Sequence, residues 1–281
     1  MDQRPDLDLT VTAYAVADKV ATITLSRPDR LNAWTSRMNT EYRHLLQRAS
    51  DDPGVRVIVV TGAGRGFCAG AESDDLVGHA ERGAYDAGSP DDLATPGYGV
   101  RPEFDAELTY HFGIPKPVIA AVNGPAAGIG FALACYCDLR FAASSASFTT
   151  AHAKLGLPCA FGLAWLLPRL VGLTRAMDLT LSSRRFTAEE AAAIGLVNAT
   201  FPDDGFADGV AASAAQLATT VSPASMAATK RQLYDGFHQS VADAVHAAED
   251  RLTPMMGDPD YREGVAALRE KRPPVFADLE P

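Results

Sequence analysis

The stretch TGAGRGFCAGAE, residues 61–72, directly follows the most strand-like run of the chain, residues 55–60. A buried strand that leads into a glycine-rich turn and then into a helix leaves backbone N–H groups free to bind an anion. That anion could be a phosphate of a ligand, or a carbonyl oxygen that becomes negatively charged during a reaction. The stretch by itself allows both interpretations.

A second turn of small residues, NGPAAGIG at residues 123–130, follows another buried run at residues 116–122. The chain therefore repeats one unit, which consists of a buried strand, a glycine-rich turn and a helix. Strands that alternate with helices predict an α/β fold with parallel pairing. Both turns should then lie at the carboxyl ends of their strands, where α/β folds bind their ligands.

Two further segments in the first half of the chain have clear patterns. Alternating apolar and polar residues over 9–26 predict a hairpin around Asp18 and Lys19. The segment 78–102 is polar and rich in glycine, proline and aspartate. A loop of this length is unusual in a compact domain, so we expect a lid, a binding loop or local disorder.

Helical apolar spacing dominates the second half of the chain. The spacing predicts helices at residues 104–112, 163–171, 175–181 and 187–194. The alanine-rich segment 206–268 predicts three or four more helices. We therefore divide the chain into a core of residues 1–200 and a helical C-terminal subdomain of residues 201–281, which packs on the core or on a neighbouring subunit.

Composition narrows the class of protein. The 281 residues carry a formal net charge of −10, which argues against nucleic acid or an anionic membrane as the main partner. The N-terminus has no apolar signal segment, and no apolar run reaches the roughly 18 residues of a membrane helix, so we expect a cytoplasmic protein. No metal-ligand spacing occurs, and we expect reduced core thiols for the cysteines Cys68, Cys135, Cys137 and Cys159.

The first turn fits a nucleotide-binding motif only in part. Gly62 and Gly64 match the first two glycines of a dinucleotide fingerprint, but Phe67 occupies the third position. The acidic residue expected about 20 residues later on a second strand is missing, and so is the Gly-Lys-Ser/Thr of a P-loop. Binding of a nucleotide cofactor is therefore the weaker interpretation.

Short motifs along the chain carry a resemblance to a known family. They are Arg27-Pro28 with Asn32-Ala33, residues 64–72, Lys116-Pro117 through Asn123-Gly124, Cys137-Asp138, residues 191–198 and Lys271-Arg272-Pro273. In this order, over residues 9–276, they resemble the crotonase superfamily, the enoyl-CoA hydratase/isomerase family. Each motif is weak alone, and the ordered set is specific.

The resemblance implies a crotonase-like spiral of ββα units with a helical C-terminal part, assembled as a homotrimer or a dimer of trimers. It implies an acyl-CoA thioester as substrate, with coenzyme A as part of that substrate and no other cofactor. The two turns would form an oxyanion hole from the backbone N–H groups of Ala71 and Ile129. Two such donors in a dry site each stabilise the oxygen of a thioester enolate by roughly 3–4 kcal/mol.

The resemblance also implies contacts to the coenzyme A moiety. These would come from Arg27, Leu31, Ala33, Ala69, Glu72, Leu76, Gly128 and Lys271. The basic residues among them, together with Arg30 and Arg272, could meet the phosphates or the adenine of coenzyme A. Each of these cations could equally be a surface charge without a ligand.

The catalytic acids of the family are replaced in this chain. Hydratases of the family use two glutamates, and the matching positions here hold Ala132 and His152. A third position, where other subfamilies carry an acid, holds Ala160. His152 could act as a general acid or base at neutral pH, because an ordinary histidine titrates near 6.5. It could equally be a histidine that hydrogen-bonds to backbone at the edge of the acyl pocket.

The sequence therefore predicts an enzyme of the enoyl-CoA hydratase/isomerase family, a lyase or an isomerase, that acts through a thioester enolate. His152 is the acid or base candidate in this hypothesis. One alternative is a catalytically silent acyl-CoA-binding protein, because alanine stands where two carboxylates are expected. Another is a divergent isomerase or hydrolase of the same family that uses His152.

Overall fold

The computed structural model describes residues 7–83 and 93–279. Its first element is the predicted hairpin, in which β1 (Thr12–Ala17) pairs antiparallel with β2 (Val20–Leu25). Asp18 and Lys19 form the turn, and both have a positive φ, 49° and 64°, as a two-residue hairpin turn requires. The hairpin prediction is confirmed.

Strands and helices alternate along most of the remaining chain. In the described residues the other strands are β3 (Val57–Gly62), β4 (Val118–Val122), β5 (Ala126–Ala127), β6 (Leu139–Ala143), β7 (Ser147–Thr149), β8 (Phe186–Thr187) and β9 (Ala199–Phe201). The α-helices there are α1 (Ser36–Asp51), α2 (Ser73–Arg82), α3 (Ile129–Tyr136), α4 (Leu163–Val171), α5 (Leu173–Ser182), α6 (Ala188–Ala193), α7 (Phe206–Thr220), α8 (Pro223–Asp235), α9 (Val241–Met255) and α10 (Pro259–Glu270).

Six strands form the main sheet in the order β1-β2-β3-β4-β6-β9, and every neighbouring pair except β1 and β2 is parallel. A smaller sheet joins β5, β7 and β8. The central strand β3 is a continuous apolar run because both of its faces are buried. Ile58 and Val60 face the larger core, and Val57 and Val59 face the other side. The predicted α/β fold with parallel pairing is confirmed.

Helix α7 covers the second face of the sheet. Its buried side chains recur every four residues and therefore form one stripe along the helix. They are Phe206, Val210, Ala214 and Ala218, which pack with Val57, Val59, Ile119 and Ala121. The first helix after residue 200 is thus part of the sheet's core, and the division of the chain at that residue remains a prediction.

The C-terminal helices are tied to the sheet through Asp138, which precedes β6. Its carboxylate accepts hydrogen bonds from the Val118 N–H at 2.7 Å, the Lys230 Nζ at 2.6 Å and the Tyr234 hydroxyl at 2.7 Å. Lys230 and Tyr234 both lie on α8. Four helices, α7–α10, follow the last strand, as the sequence predicts. Within the described chain, no helix combines the length and the apolar composition needed to cross a membrane.

The predicted helix over 104–112 is wrong. The segment contains the last residue of one 3-10 helix, Pro102–Phe104, and most of a second, Thr109–Gly113. Leu108, between them, has a φ of 61°, and this left-handed conformation interrupts any continuous α-helix. Apolar spacing gives no warning of such an interruption, because Leu108 is still fully buried.

The loop predicted over residues 78–102 begins later in the structure than the sequence predicts. Helix α2 continues to Arg82, so the first residues of the segment are helical. Residues 84–92 lie outside the described residues. The chain then passes α1, where the Arg43 Nε donates to the carbonyl oxygen of Ala94 at 2.9 Å. The lid remains a prediction.

Glu41 on α1 fixes the approach to β1. Its carboxylate accepts hydrogen bonds from the Thr10 N–H at 2.8 Å, the Val11 N–H at 3.0 Å and the Thr12 hydroxyl at 2.6 Å. Burial acts to raise the pKa of this carboxyl, but these bonds and the one from Arg37 outweigh it and lower the pKa from 4.5 to about 2. The ionised form therefore stabilises the fold.

We expect Glu41→Gln to weaken the dependence of stability on acid. Because the folded pKa lies below the unfolded value, ionised Glu41 stabilises the fold above about pH 4.5, and this contribution is lost as the pH falls towards 2. Urea unfolding of wild type and variant at several pH values in that window measures the slope. The exposed Glu189→Gln is the matched control and should keep the wild-type slope. An unchanged slope in Glu41→Gln would show that this carboxylate is not the stabilising group.

Candidate active site at two adjoining turns

Two asparagine side chains hold the first turn, residues 61–72, in shape. The Asn123 Nδ2 donates to the carbonyl oxygens of Gly62 at 2.8 Å and Gly64 at 2.9 Å. The Asn32 Nδ2 donates to those of Ala63 at 3.0 Å and Gly66 at 2.7 Å. Both asparagines belong to the short family motifs of the sequence, but nothing in those motifs predicts this role. Asn32 has a φ of 57°, and asparagine is among the few residues that adopt this conformation readily.

The second turn, residues 123–130, packs directly against the first. The N–H groups of Phe67 and Cys68 both donate to the carbonyl oxygen of Pro125 at 3.2 Å, and the Ala127 N–H donates to the Cys68 carbonyl oxygen at 3.0 Å. The two backbones can approach this closely only because Gly130 has no side chain. A Cβ on Gly130 would lie 2.2 Å from the Cys68 carbonyl oxygen. Both turns follow neighbouring parallel strands, so the topology brings them to the same edge of the sheet.

The Ala71 N–H points away from the strand partner of its segment. Ala71 forms a parallel bridge with Trp34, in which the Trp34 N–H donates to the Gly70 carbonyl oxygen and the Glu72 N–H donates to the Trp34 carbonyl oxygen. In such a bridge the central residue directs its own N–H to the opposite side. This N–H donates to no other group of residues 7–83 and 93–279.

The Ile129 N–H lies at the start of α3, where the first amides of a helix have no partner within it. The first bond across this end runs from the Ala132 N–H to the Gly128 carbonyl oxygen at 3.0 Å. Gly128 and Gly70, the residues just before the two amides, are neighbours, since a Cβ on Gly128 would lie 3.8 Å from the Cα of Gly70. The two amides therefore follow adjoining points of the backbone.

His152 follows the strand that pairs with the second turn. β7 pairs with β5 in that turn, and the Gly128 N–H donates to the Thr149 carbonyl oxygen at 3.1 Å. His152 begins a 3-10 helix three residues later and is only 7% exposed. Its Nε2 is buried and has no hydrogen-bond partner in the described chain. Burial lowers the pKa of His152 below its ordinary value, although a hydrogen bond to the Thr150 carbonyl opposes the shift.

The backbone before His152 is unusual and is braced by hydrogen bonds. Ala151 has a φ of 64°, a conformation that alanine rarely adopts. The Ser183 hydroxyl accepts from the Ala153 N–H at 3.1 Å and bonds the Thr150 hydroxyl at 2.9 Å. Ser183 therefore holds the segment on both sides of His152.

The two alanines at the positions where the family resemblance predicts an acid occupy ordinary packing environments. Ala132 is fully buried on α3, and Ala160 is half-buried before α4. Neither position offers a carboxylate. His152 is thus the ionisable side chain at the three positions that the family resemblance identifies.

The structure gathers most of the predicted coenzyme A contacts around the first turn. The Arg27 Nη2 pairs with the Glu72 carboxylate at 2.7 Å, and its Nη1 donates to the Ala33 carbonyl oxygen at 2.7 Å. The Ala69 N–H donates to the Leu31 carbonyl oxygen at 3.0 Å. The hydrogen bond from Arg27 lowers the pKa of Glu72.

The remaining predicted contacts are Leu76, Gly128 and Lys271. Leu76 lies half-buried on α2, and Gly128 lies in the second turn. Lys271 is exposed at the C-terminal end of α10, and among the described residues it makes no contact with either turn through a hydrogen bond or an ion pair. The next residue, Arg272, pairs with Glu263 and Glu270. A role in ligand binding remains a prediction for all eight residues.

Comparison with known proteins identifies the family of this chain. Residues 16–279 match the family model described as enoyl-CoA hydratase/isomerase. The chain is 39% identical over 267 residues to the "probable enoyl-CoA hydratase EchA12" of Mycobacterium tuberculosis, covering 92% of this chain and 90% of the relative. It is 37% identical over 258 residues to the 1,2-epoxyphenylacetyl-CoA isomerase of Escherichia coli, covering 92% and 94%.

The solved structures agree with the sequence relatives. The enoyl-CoA hydratase of Bacillus anthracis superposes with a TM-score of 0.83 at 27% identity, over 95% of this chain and 99% of that one. The chain therefore belongs to the enoyl-CoA hydratase/isomerase family, within the crotonase superfamily, and is an enzyme of that family. The predicted family and crotonase-like fold are confirmed.

We expect Gly130→Ala to disrupt the contact between the turns. The added Cβ would overlap the Cys68 carbonyl oxygen, and such overpacking costs about 1–3 kcal/mol of unfolding free energy. Gly264→Ala in α10 is the matched control, because no heavy atom lies within 4 Å of its added Cβ. That change should stabilise the helix by up to ~1 kcal/mol. Denaturant unfolding of both variants checks the prediction, and equal stability would contradict it.

Proposed function

We propose that this enzyme binds an acyl-CoA and stabilises the enolate of its thioester with the N–H groups of Ala71 and Ile129. The observation that carries the proposal is the contact of Gly70 with Gly128. It places the two following amides at adjoining points of the backbone, and neither amide is used within the described chain. Two free donors at one place can share a single oxygen. The side chains of alanine and isoleucine need no chemistry of their own, because the backbone supplies it.

The rest of the first turn favours binding of a thioester oxygen over binding of a phosphate. Phe67, at the third glycine position of the dinucleotide fingerprint, is fully buried, so this position serves packing. Arg27, which could have met a phosphate there, is paired with Glu72. A carboxylate beside the turn disfavours a highly charged phosphate, whereas a thioester oxygen is neutral in the bound substrate and becomes negatively charged only when the enolate forms.

His152 is the proposed base. Burial lowers its pKa, so the imidazole is neutral at pH 7, and its buried Nε2 has no partner that would compete for a proton. Nε2 takes a proton from the α- or γ-carbon, the C–H electron pair moves into the carbon chain, and negative charge appears on the thioester oxygen. Return of the proton to another carbon completes an isomerisation. This sequence balances without water.

Isomerisation fits the replaced acids better than hydration. The hydratases of this family add water with the help of two carboxylates, and Ala132 supplies none. The relatives include both reactions by name, a probable hydratase and an epoxyphenylacetyl-CoA isomerase, so family membership alone selects neither. One histidine that removes and returns a proton is sufficient for an isomerase.

The C-terminal helices support assembly with further copies of the chain, as a homotrimer or a dimer of trimers. A groove of about 660 Å³ lies among α8, α9 and α10. Large apolar side chains on α9, on α10 and in the tail after it are exposed in the single chain, among them Val241, Leu252, Leu268 and Val275. A surface of this kind usually marks a contact between proteins. The small-molecule partner remains an acyl-CoA, with no nucleic acid or membrane.

We expect His152→Ala to abolish isomerisation of enoyl-CoA substrates while acyl-CoA binding persists. General acid–base catalysis contributes about 10²–10⁴-fold, so kcat should fall by that factor. In wild type, kcat/KM should rise with pH through an apparent pKa below 6.5, since the base must be neutral and burial lowers its pKa. Exposed His246→Ala is the matched control and should keep both the rate and the profile. Full activity in His152→Ala would remove this residue from the mechanism.

A catalytically silent acyl-CoA-binding protein is the second candidate. Alanine at positions 132 and 160 favours it, because neither position can move a proton. Calorimetry with acyl-CoA ligands and a turnover panel that includes isomerisation, hydration and hydrolysis separate the two candidates. Binding with no turnover favours the silent protein. Absence of binding to any coenzyme A thioester would contradict both.

A further inference from the structure

Three arginines converge on one aspartate where α8, α9 and the segment before residue 102 meet. The Arg101 Nη1 lies 3.4 Å from the Asp235 Oδ1, and the Arg251 Nη2 lies 3.5 Å from its Oδ2. Arg231 precedes Asp235 by four residues on α8 and therefore lies on the same face of the helix. We call Arg101, Arg231, Arg251 and Asp235 the arginine cluster.

The charges of this cluster do not balance. Asp235 is largely buried and is shared by two guanidinium groups at distances longer than the 2.7–2.9 Å typical of a strong charged hydrogen bond. Glu103, on the outer side, pairs with Arg101 at 3.3 Å. Three cations therefore face two carboxylates, which leaves an excess positive charge in a chain whose net charge is −10.

Arg231 is the group without a partner. Among the described residues it forms no ion pair, and its Nε is buried without a hydrogen-bond acceptor. Burial, acting with the charges of Arg251 and Arg101 against that of Asp235, lowers the pKa of Arg231. A guanidinium has five donors in a planar fork and does not lose its proton in proteins, so a buried N–H with no acceptor is costly. Such a group needs an acceptor, and none of the described residues supplies one to the Arg231 Nε.

We propose that the arginine cluster is a binding site for a phosphate-type oxyanion, with Arg231 as its main ligand. The planar fork of arginine matches two oxygens of a phosphate, and the loosely held Arg101 and Arg251 are placed to turn from Asp235 to the same anion. The anion could be a free phosphate or a phosphate group of coenzyme A. The chemistry of the site is the same for both.

Calorimetric titration with inorganic phosphate at fixed ionic strength tests the site. Wild type should bind phosphate, and Arg231→Met should raise the Kd at least about tenfold, because the variant loses a charge-assisted hydrogen bond to the anion. Arg185→Met is the matched control, since Arg185 is exposed and lies outside the cluster. It should bind as wild type does. Arg231→Lys keeps the charge but loses the fork, so it should fold normally and bind phosphate more weakly than wild type.

Coenzyme A and 3′-dephospho-coenzyme A identify the source of the anion. If the 3′-phosphate occupies the cluster, Arg231→Met should weaken binding of coenzyme A and leave binding of the dephospho form unchanged. If the site takes free phosphate, the variant should bind both forms as wild type does while still losing inorganic phosphate. Equal phosphate binding by Arg231→Met and wild type, or no phosphate binding by wild type, would overturn the proposal.

Discussion

The contact between the two glycine-containing turns is the interaction on which the site depends. Backbone meets backbone there, and the Pro125 and Cys68 carbonyl oxygens accept hydrogen bonds across the contact. Such a contact forms only where small residues leave room for it, as Gly130 does beside Cys68. Parallel pairing of β3 with β4 brings the turns to one edge of the sheet. A rigid pair of amides therefore follows from topology and from missing side chains, and preorganised donors of this kind stabilise developing charge without further rearrangement.

Buried charged groups hold the surrounding elements on this scaffold. Glu41 fixes the entry to the hairpin by accepting bonds from residues 10–12, and Asp138 fixes α8 through Lys230 and Tyr234. Both carboxylates are largely buried and fully engaged, so removing one partner would leave the other charge without compensation. His152 and Arg231 differ from them. Each has a buried nitrogen without a partner in the described chain, and for this reason each is the proposed contact to a ligand.

The fold was predictable from the sequence because its signals are local. The apolar run of β3, the glycine turn after it and the Asp18-Lys19 hairpin each depend on neighbouring residues. The helix predicted over residues 104–112 was wrong, since apolar spacing carries no signal for the left-handed conformation of Leu108. For the candidate site, the matched family positions give the amides of Ala71 and Ile129 as a prediction, and the structure adds the contact between the turns that precede them. The arginine cluster could not be found this way, because Arg101 and Arg251 are distant in sequence and meet only in the folded chain.

Polarisation of a bound thioester carbonyl by the two turns can be observed at the carbonyl itself. An isotope-edited infrared difference spectrum of butanoyl-CoA, labelled with ¹³C at the thioester carbon, isolates the C=O stretch of the bound ligand. Hydrogen bonds from two amides weaken that bond, so the stretch of the bound ligand should lie at lower frequency than in water. A bound ligand whose stretch stays at or above its frequency in water would contradict the account.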